Sequence, residues 1–224
     1  LVFCHSVSDG FNKRMSEEFA QDMDFWTAHF GRVMTWHHRG MGQSSKASKY
    51  SLPMYASDMD RLTDGLGIER VVAVGSLFGG IVLQRFALDY PHKCTALVLD
   101  STSSEVSTRI SEEYYRMSLG YRDSPDLSAG DPESYVAATR TVAGLREHPL
   151  TPELKNITCP VLIVSGIGQN VNRRDVGSGI MATHLPNNRL ELFEDSGPGV
   201  IRHQPQRFRS LVLEFCRERG IIPA

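Results

Sequence analysis

Val71-Val72-Ala73-Val74-Gly75-Ser76-Leu77-Phe78-Gly79-Gly80 is the stretch that decides how this chain is read. Its first four residues are apolar without alternation, as in a central parallel strand covered on both faces. Gly75 and Gly79 then stand two before and two after Leu77. That is the G-x-Nuc-x-G spacing, which holds its central residue on a strained strand-to-helix turn. Glycines are needed there because neighbouring segments leave no room for Cβ atoms. The central residue, however, is leucine, which cannot act as a nucleophile. The adjacent hydroxyl, Ser76, is one position early: a frame centred on it would need glycines where the chain has Val74 and Phe78. The stretch therefore predicts the frame of a nucleophilic site with an inert residue at its centre.

Outward from this stretch, strands and helices alternate. Upstream, residues 1–4 read as a short buried strand and 32–36 as the next strand, followed by the polar loops 5–10 and 37–45. Between them, 14–30 reads as an amphipathic helix with Phe19, Met23, Trp26 and Phe30 on one stripe. A second helix is expected over 52–66, ended by Gly67. Downstream, a helix over 78–89 stops at Tyr90-Pro91. Strands follow at 95–100, 161–165 and 189–193, with a helix over 175–184 and a terminal helix over 204–219. The alternation predicts an α/β fold with a mostly parallel sheet and helices on both faces. Helical pieces at 106–117 and 132–145, separated by a Gly/Pro/Asp-rich break, predict an inserted helical cap over the sheet's ligand edge. The expected division is a core of 1–103 and 151–224 with a cap of 104–150.

Composition narrows the function classes. With 224 residues, 41% hydrophobic and 22% charged, the chain has the make-up of one ordinary soluble globular domain. A formal net charge of −2 gives no electrostatic reason to expect nucleic acid. No apolar run approaches the roughly 20 residues of a membrane-spanning helix. Cys4, Cys94, Cys159 and Cys216 are scattered without C-x-x-C spacing and read as buried reduced thiols. No close His/Cys pair has zinc-ligand spacing, so neither metal nor cofactor is expected. A cytoplasmic location is expected. The chain starts at Leu1, inside a strand-like run, which leaves a removed signal peptide open.

Several segments together resemble the α/β-hydrolase superfamily over nearly the whole chain. His5-Ser6 resembles the loop that supplies one oxyanion-hole amide. Arg39-Gly40-Met41-Gly42-Gln43-Ser44-Ser45 resembles the family's R-G-x-G-x-S-x segment, and Gly75 to Gly80 its nucleophile elbow. Asp131-Pro132-Glu133-Ser134-Tyr135 and Leu150-Thr151-Pro152-Glu153-Leu154 resemble the cap end of 3-oxoadipate enol-lactonases and similar small esterases. Relative to that family, the first two strands are absent. The resemblance implies a serine nucleophile, an acid and a histidine, in that order. Carried over, these positions fall on Leu77, Gln169 and Pro198, none of which can serve. It also implies an oxyanion frame at His5, Ser6, Val7, Ser76 and Phe78.

Three functions fit this pattern. One is a hydrolase-fold protein without a triad, a pseudoenzyme binding a small apolar carbonyl or lactone-like ligand, or a protein partner. Another is an isomerase, lyase or cyclase using His5, His37 or His38 as acid and base. The third is an esterase with a displaced triad, drawing on Ser76 with His203 and Asp175.

Overall fold

The computed structural model describes residues 1–6, 13–121, 131–167 and 175–223. Six strands form one sheet: β1 (Val2–Cys4), β2 (Met34–Thr35), β3 (Val71–Ser76), β4 (Cys94–Asp100), β5 (Val161–Gly166) and β6 (Asn188–Phe193). Their order is β2-β1-β3-β4-β5-β6, and every described pairing is parallel. The unalternating apolar runs lie at the centre: every residue of β3 and β5 is buried. The alternating run 189–193 lies at the edge, where only Phe193 of β6 is buried.

Parallel neighbours need crossovers, and the helices supply them on both faces. In chain order they are α1 (Lys13–Phe30), α2 (Leu52–Gly65), α3 (Phe78–Asp89), α4 (Thr108–Tyr121), α5 (Pro132–Gly144), α6 (Asp175–His184), α7 (Val200–His203) and α8 (Pro205–Glu218). Successive strand residues point to opposite faces. Leu97 and Leu99 therefore join one core cluster with Met59, Phe86 and Met181 from α2, α3 and α6. Val98 and Val164 join the other, with Trp26 of α1 and Phe208 and Phe215 of α8. Trp26, at 1% exposure, packs on Phe3 with ring centroids 5.6 Å apart.

The end of the chain holds the helix expected over 204–219, as α8, with an unexpected short helix ahead of it. It forms the short α7, breaks at Gln204 (φ −138°, ψ 59°) and restarts as α8 with a proline in its first turn. Pro205 lacks the N–H that a continuous helix would use, and its ring excludes the helical conformation at the preceding residue.

Between β4 and β5 the chain adds α4, α5 and a 3-10 turn at Thr151–Asn156. Tyr135, Ala138 and Val142 of α5 belong to the first core cluster, so this segment is packed onto the core. Asp131 caps α5 by accepting from the Glu133 amide at 3.3 Å.

Candidate functional site

Leu77 joins β3 to α3 with φ 52° and ψ −116°. Such a backbone costs on the order of 1–3 kcal/mol and persists only where its surroundings hold it. The Leu77 amide donates to the Asp100 carbonyl at 3.0 Å. Its own carbonyl accepts from the Gly80 amide at 3.1 Å and the Thr102 hydroxyl at 2.7 Å. Gly79 is required by close approach, because a Cβ there would run into the Cys4 carbonyl. A Cβ on Gly75 would lie 2.8 Å from the Gly79 carbonyl oxygen. Phe78 opens α3 with no side chain capping it. Its amide belongs to the first turn, which has no intrahelical partner and carries the positive end of the helix dipole.

Leu77 and Phe78 form part of the wall of a cavity of about 480 Å³ at the carboxyl ends of the strands. α4 and α5 contribute Ile110, Tyr114 and Val142, and α6 contributes Ile180. Ser101, Thr102 and Ser103 supply hydroxyls from the loop after β4, and Glu105, Arg109 and Glu113 supply charge. His5, Ser6, Ser76, His37, His38 and His203 are not among the lining residues.

Beneath the elbow, Asp100 ends β4 with no exposed surface. It accepts from the Ser101 hydroxyl at 2.9 Å and from the Val200 and Ile201 amides at 3.0 and 3.2 Å. Burial holds this carboxyl above the usual carboxylate range, against the opposing pull of those donors. Ser101 also has φ 52°, and its hydroxyl accepts from the Gly199 amide at 2.8 Å. Ser76 is buried beside the Asp100 carboxylate, short of hydrogen-bond geometry, and its hydroxyl has no partner. Sequence reading did not single out Asp100. The signal available was a carboxylate closing an otherwise apolar strand, Leu97-Val98-Leu99-Asp100.

The adjacent histidines have different surroundings. His38 is 3% exposed and makes edge contacts with the rings of Trp36, Tyr55 and Phe78 at 5.4–5.8 Å. Its Nε2 donates to the His5 carbonyl at 3.0 Å, which leaves Nδ1 unprotonated, buried and without a partner. Desolvation lowers its pKa to about 4. His37, half-buried in the next loop, accepts from the Gln43 amide at 3.1 Å. His5 pairs with the Thr35 hydroxyl. Desolvation, then the neighbouring His38 and His37, lower its pKa to about 4. His203 is exposed at the end of α7 and hydrogen-bonds through its amide to the Gly199 carbonyl.

Leu77 and the Pro198 loop come together at one end of the sheet, because the 199–201 amides bond to the same Asp100-Ser101 corner that the elbow uses. Ser6 is buried just beyond β1. Val7 and Gln169 lie outside the described residues, as does the side chain of Asp175. Among the described residues there is no cluster of three or more metal-binding side chains, and no helix is long and apolar enough to cross a membrane.

Comparison with known proteins agrees with this geometry. The chain is 25% identical over 241 residues to 3-oxoadipate enol-lactonase 2 of Acinetobacter baylyi, covering 95% of this chain and 86% of that protein. A hydrolase from Pseudomonas aeruginosa superposes with a TM-score of 0.81 at 21% identity, over 96% of this chain and 88% of that one. An esterase from Thermogutta terrifontis, solved with malate bound, superposes with a TM-score of 0.80 at 21% identity, over 97% and 89%. At such identities these structures establish a shared fold. Residues 1–121 match the family profile described as alpha/beta hydrolase fold, and the chain belongs to that family.

Proposed function

We propose that this protein binds a small ester- or lactone-like ligand in the cavity beneath a cap formed by residues 104–150, and that it forms no acyl-enzyme. The observation that carries this reading is Leu77, a side chain without a nucleophilic atom, at the centre of an intact elbow facing the cavity. Acyl transfer needs a nucleophile, a base to take its proton and a carboxylate to orient that base. By family resemblance those places fall to Leu77, Gln169 and Pro198. Ser76 does not replace them, since its hydroxyl has no imidazole partner. With pKa values near 4, His5 and His38 are weak bases, which counts against an isomerase or lyase built on them.

Carbonyl recognition does not need the triad. A ligand oxygen can accept from the Phe78 amide at the positive end of α3, while its apolar part lies on Leu77, Ile110 and Val142. The polarised carbonyl is then held without being attacked. The name of the Acinetobacter relative, an enol-lactonase, supports a lactone-like ligand.

The test combines fluorophosphonate labelling and p-nitrophenyl acetate hydrolysis with calorimetry using dihydrocoumarin as the lactone probe. The expected result is no covalent label, and at most the ~10³–10⁴-fold rate over water that a triad-less site retains. Lactone binding should be weakened by Ile110→Trp, which fills the cavity. Stoichiometric labelling of Ser76, abolished by Ser76→Ala and weakened by His203→Ala, would replace this reading with a displaced-triad esterase.

A further inference from the structure

We propose that Cys94 and Cys159 form a redox-active dithiol that closes to an intramolecular disulfide, at the end of the sheet opposite the cavity. The chain itself gives no hint of this, because the two residues stand far apart without a motif. The pairing arises from a bulge. In the β3–β4 register Val71 faces Cys94 while Val72 faces Ala96, so Thr95 is an extra residue on β4. Strict alternation would send Cys94 to the same face as Ala96 and Val98. The bulge turns it instead into the core cluster of Leu97, Leu99 and Val161.

Cys159 stands two residues before Val161, so alternation gives it the same face, and it packs against that cluster. The β4–β5 register, Leu97 opposite Val161, carries Cys159 alongside Thr95, next to Cys94. The Leu97 amide fixes this register by donating to the Pro160 carbonyl at 3.0 Å. Neighbouring strands lie about 4.7–4.9 Å apart, inside the roughly 4.4–6.8 Å Cα separation that a disulfide spans. The two thiols are close enough for each to move the other's pKa, and the Cys94 thiol donates to the Tyr90 carbonyl at 3.9 Å.

The surroundings assign the roles. Cys94 is 2% exposed, whereas Cys159 is half-buried and open to a reagent. The neighbouring Cys94 holds Cys159 below its ordinary pKa, and pairing and burial push Cys94 up. Arg70, which donates to the Cys94 carbonyl at 3.2 Å, favours both thiolates. The Cys159 thiolate attacks one sulfur of a low-molecular-weight disulfide such as oxidised glutathione and releases one glutathione thiolate. Cys94 then gives up its proton and attacks the Cys159 sulfur, expelling the second glutathione. Two protein thiols are oxidised and one glutathione disulfide is reduced to two thiols. The new bond ties the base of the segment holding β4, α4 and α5.

The full-length chain is incubated with oxidised glutathione, quenched with acid at intervals and mapped by peptide mass. A glutathione adduct on Cys159 should appear first and give way to a Cys94–Cys159 cross-link. Titratable thiols should fall from four to two. The melting temperature should rise on the order of 5–10 °C, reversibly with dithiothreitol. In Cys94→Ala the adduct on Cys159 should persist. Should that variant fail to fold, the order of species in the unmodified chain decides alone. Persistence of the adduct in the unmodified chain, cross-links to Cys4 or Cys216, covalent dimers, or four unreacted thiols would each overturn the proposal.

Discussion

Two strands leave the centre of the sheet through residues with the same φ of 52°, Leu77 after β3 and Ser101 after β4. The two turns use their side chains in opposite ways. Leu77 is held through its own main-chain atoms: its amide donates to the Asp100 carbonyl and its carbonyl accepts from the Gly80 amide and the Thr102 hydroxyl, while the side chain is left to line the cavity. The Ser101 hydroxyl is itself part of the scaffold, donating to Asp100 and accepting from the Gly199 amide. A turn held by main chain and glycine contacts can lose its reactive side chain without losing its shape. A turn held by its own hydroxyl cannot.

The largest effect should come from breaking the elbow's seat. Gly79→Ala places a methyl group against the Cys4 carbonyl, a backbone atom that cannot step aside. We expect a loss of about 4 kcal/mol or more in urea unfolding, or no folded protein. Normal stability would show that the seat is loose.

Removing the acceptor under the other turn should cost nearly as much. Asp100→Ala leaves the Val200 and Ile201 amides and the Ser101 hydroxyl without their partner. The expected loss is about 3 kcal/mol, with Asp100→Asn intermediate.

The two turns should also differ in their response to pH. The elbow rests on His38 through Phe78. The His38 pKa is lowered from 6.5 to about 4 in the fold, so its stabilisation is present above pH 6.5 and lost as pH falls toward 4. By linkage that loss is about 3 kcal/mol. The Asp100 pKa is raised, so its share is fully present below 3.8 and lost as pH rises through its folded value. Melting temperature against pH should show a shallower acid decline in His38→Phe and a flatter slope just above pH 3.8 in Asp100→Asn. A curve unchanged by His38→Phe would remove the imidazole from the account.

The smallest effects sharpen the contrast most directly. Leu77→Gly should gain about 1 kcal/mol by relieving strain, whereas Ser101→Gly should lose about 1 kcal/mol because two hydrogen bonds go with the hydroxyl. Equal signs in urea titrations would mean that the turns are held alike.

Much of this was legible in the chain. The unbroken Val71–Val74 run marked a buried central strand, the glycine spacing marked the turn, and the alternation of elements marked the parallel sheet. What escaped depended on contacts between distant segments. Nothing in His37-His38 says which imidazole is sealed among aromatic rings, because that is decided by where Tyr55 and Phe78 arrive. Asp100 takes its partners from about a hundred residues later. The bulge at Thr95 exists only in the pairing of two strands, so the meeting of Cys94 with Cys159 leaves no trace in spacing. The start of α8 was also legible, since the helix expected from Gln204 begins beside Pro205; the short α7 ahead of it was not.

The backbone at residue 77 acts as a fixed mount. Main-chain bonds and the Gly79 contact set the direction of its Cα–Cβ axis, so every side chain installed there extends along the same line into the same chamber. Position 77 is thus a gauge of depth: an alanine deepens the chamber, an aromatic ring shortens it, and the range of molecules that fit changes while the sheet stays as it is.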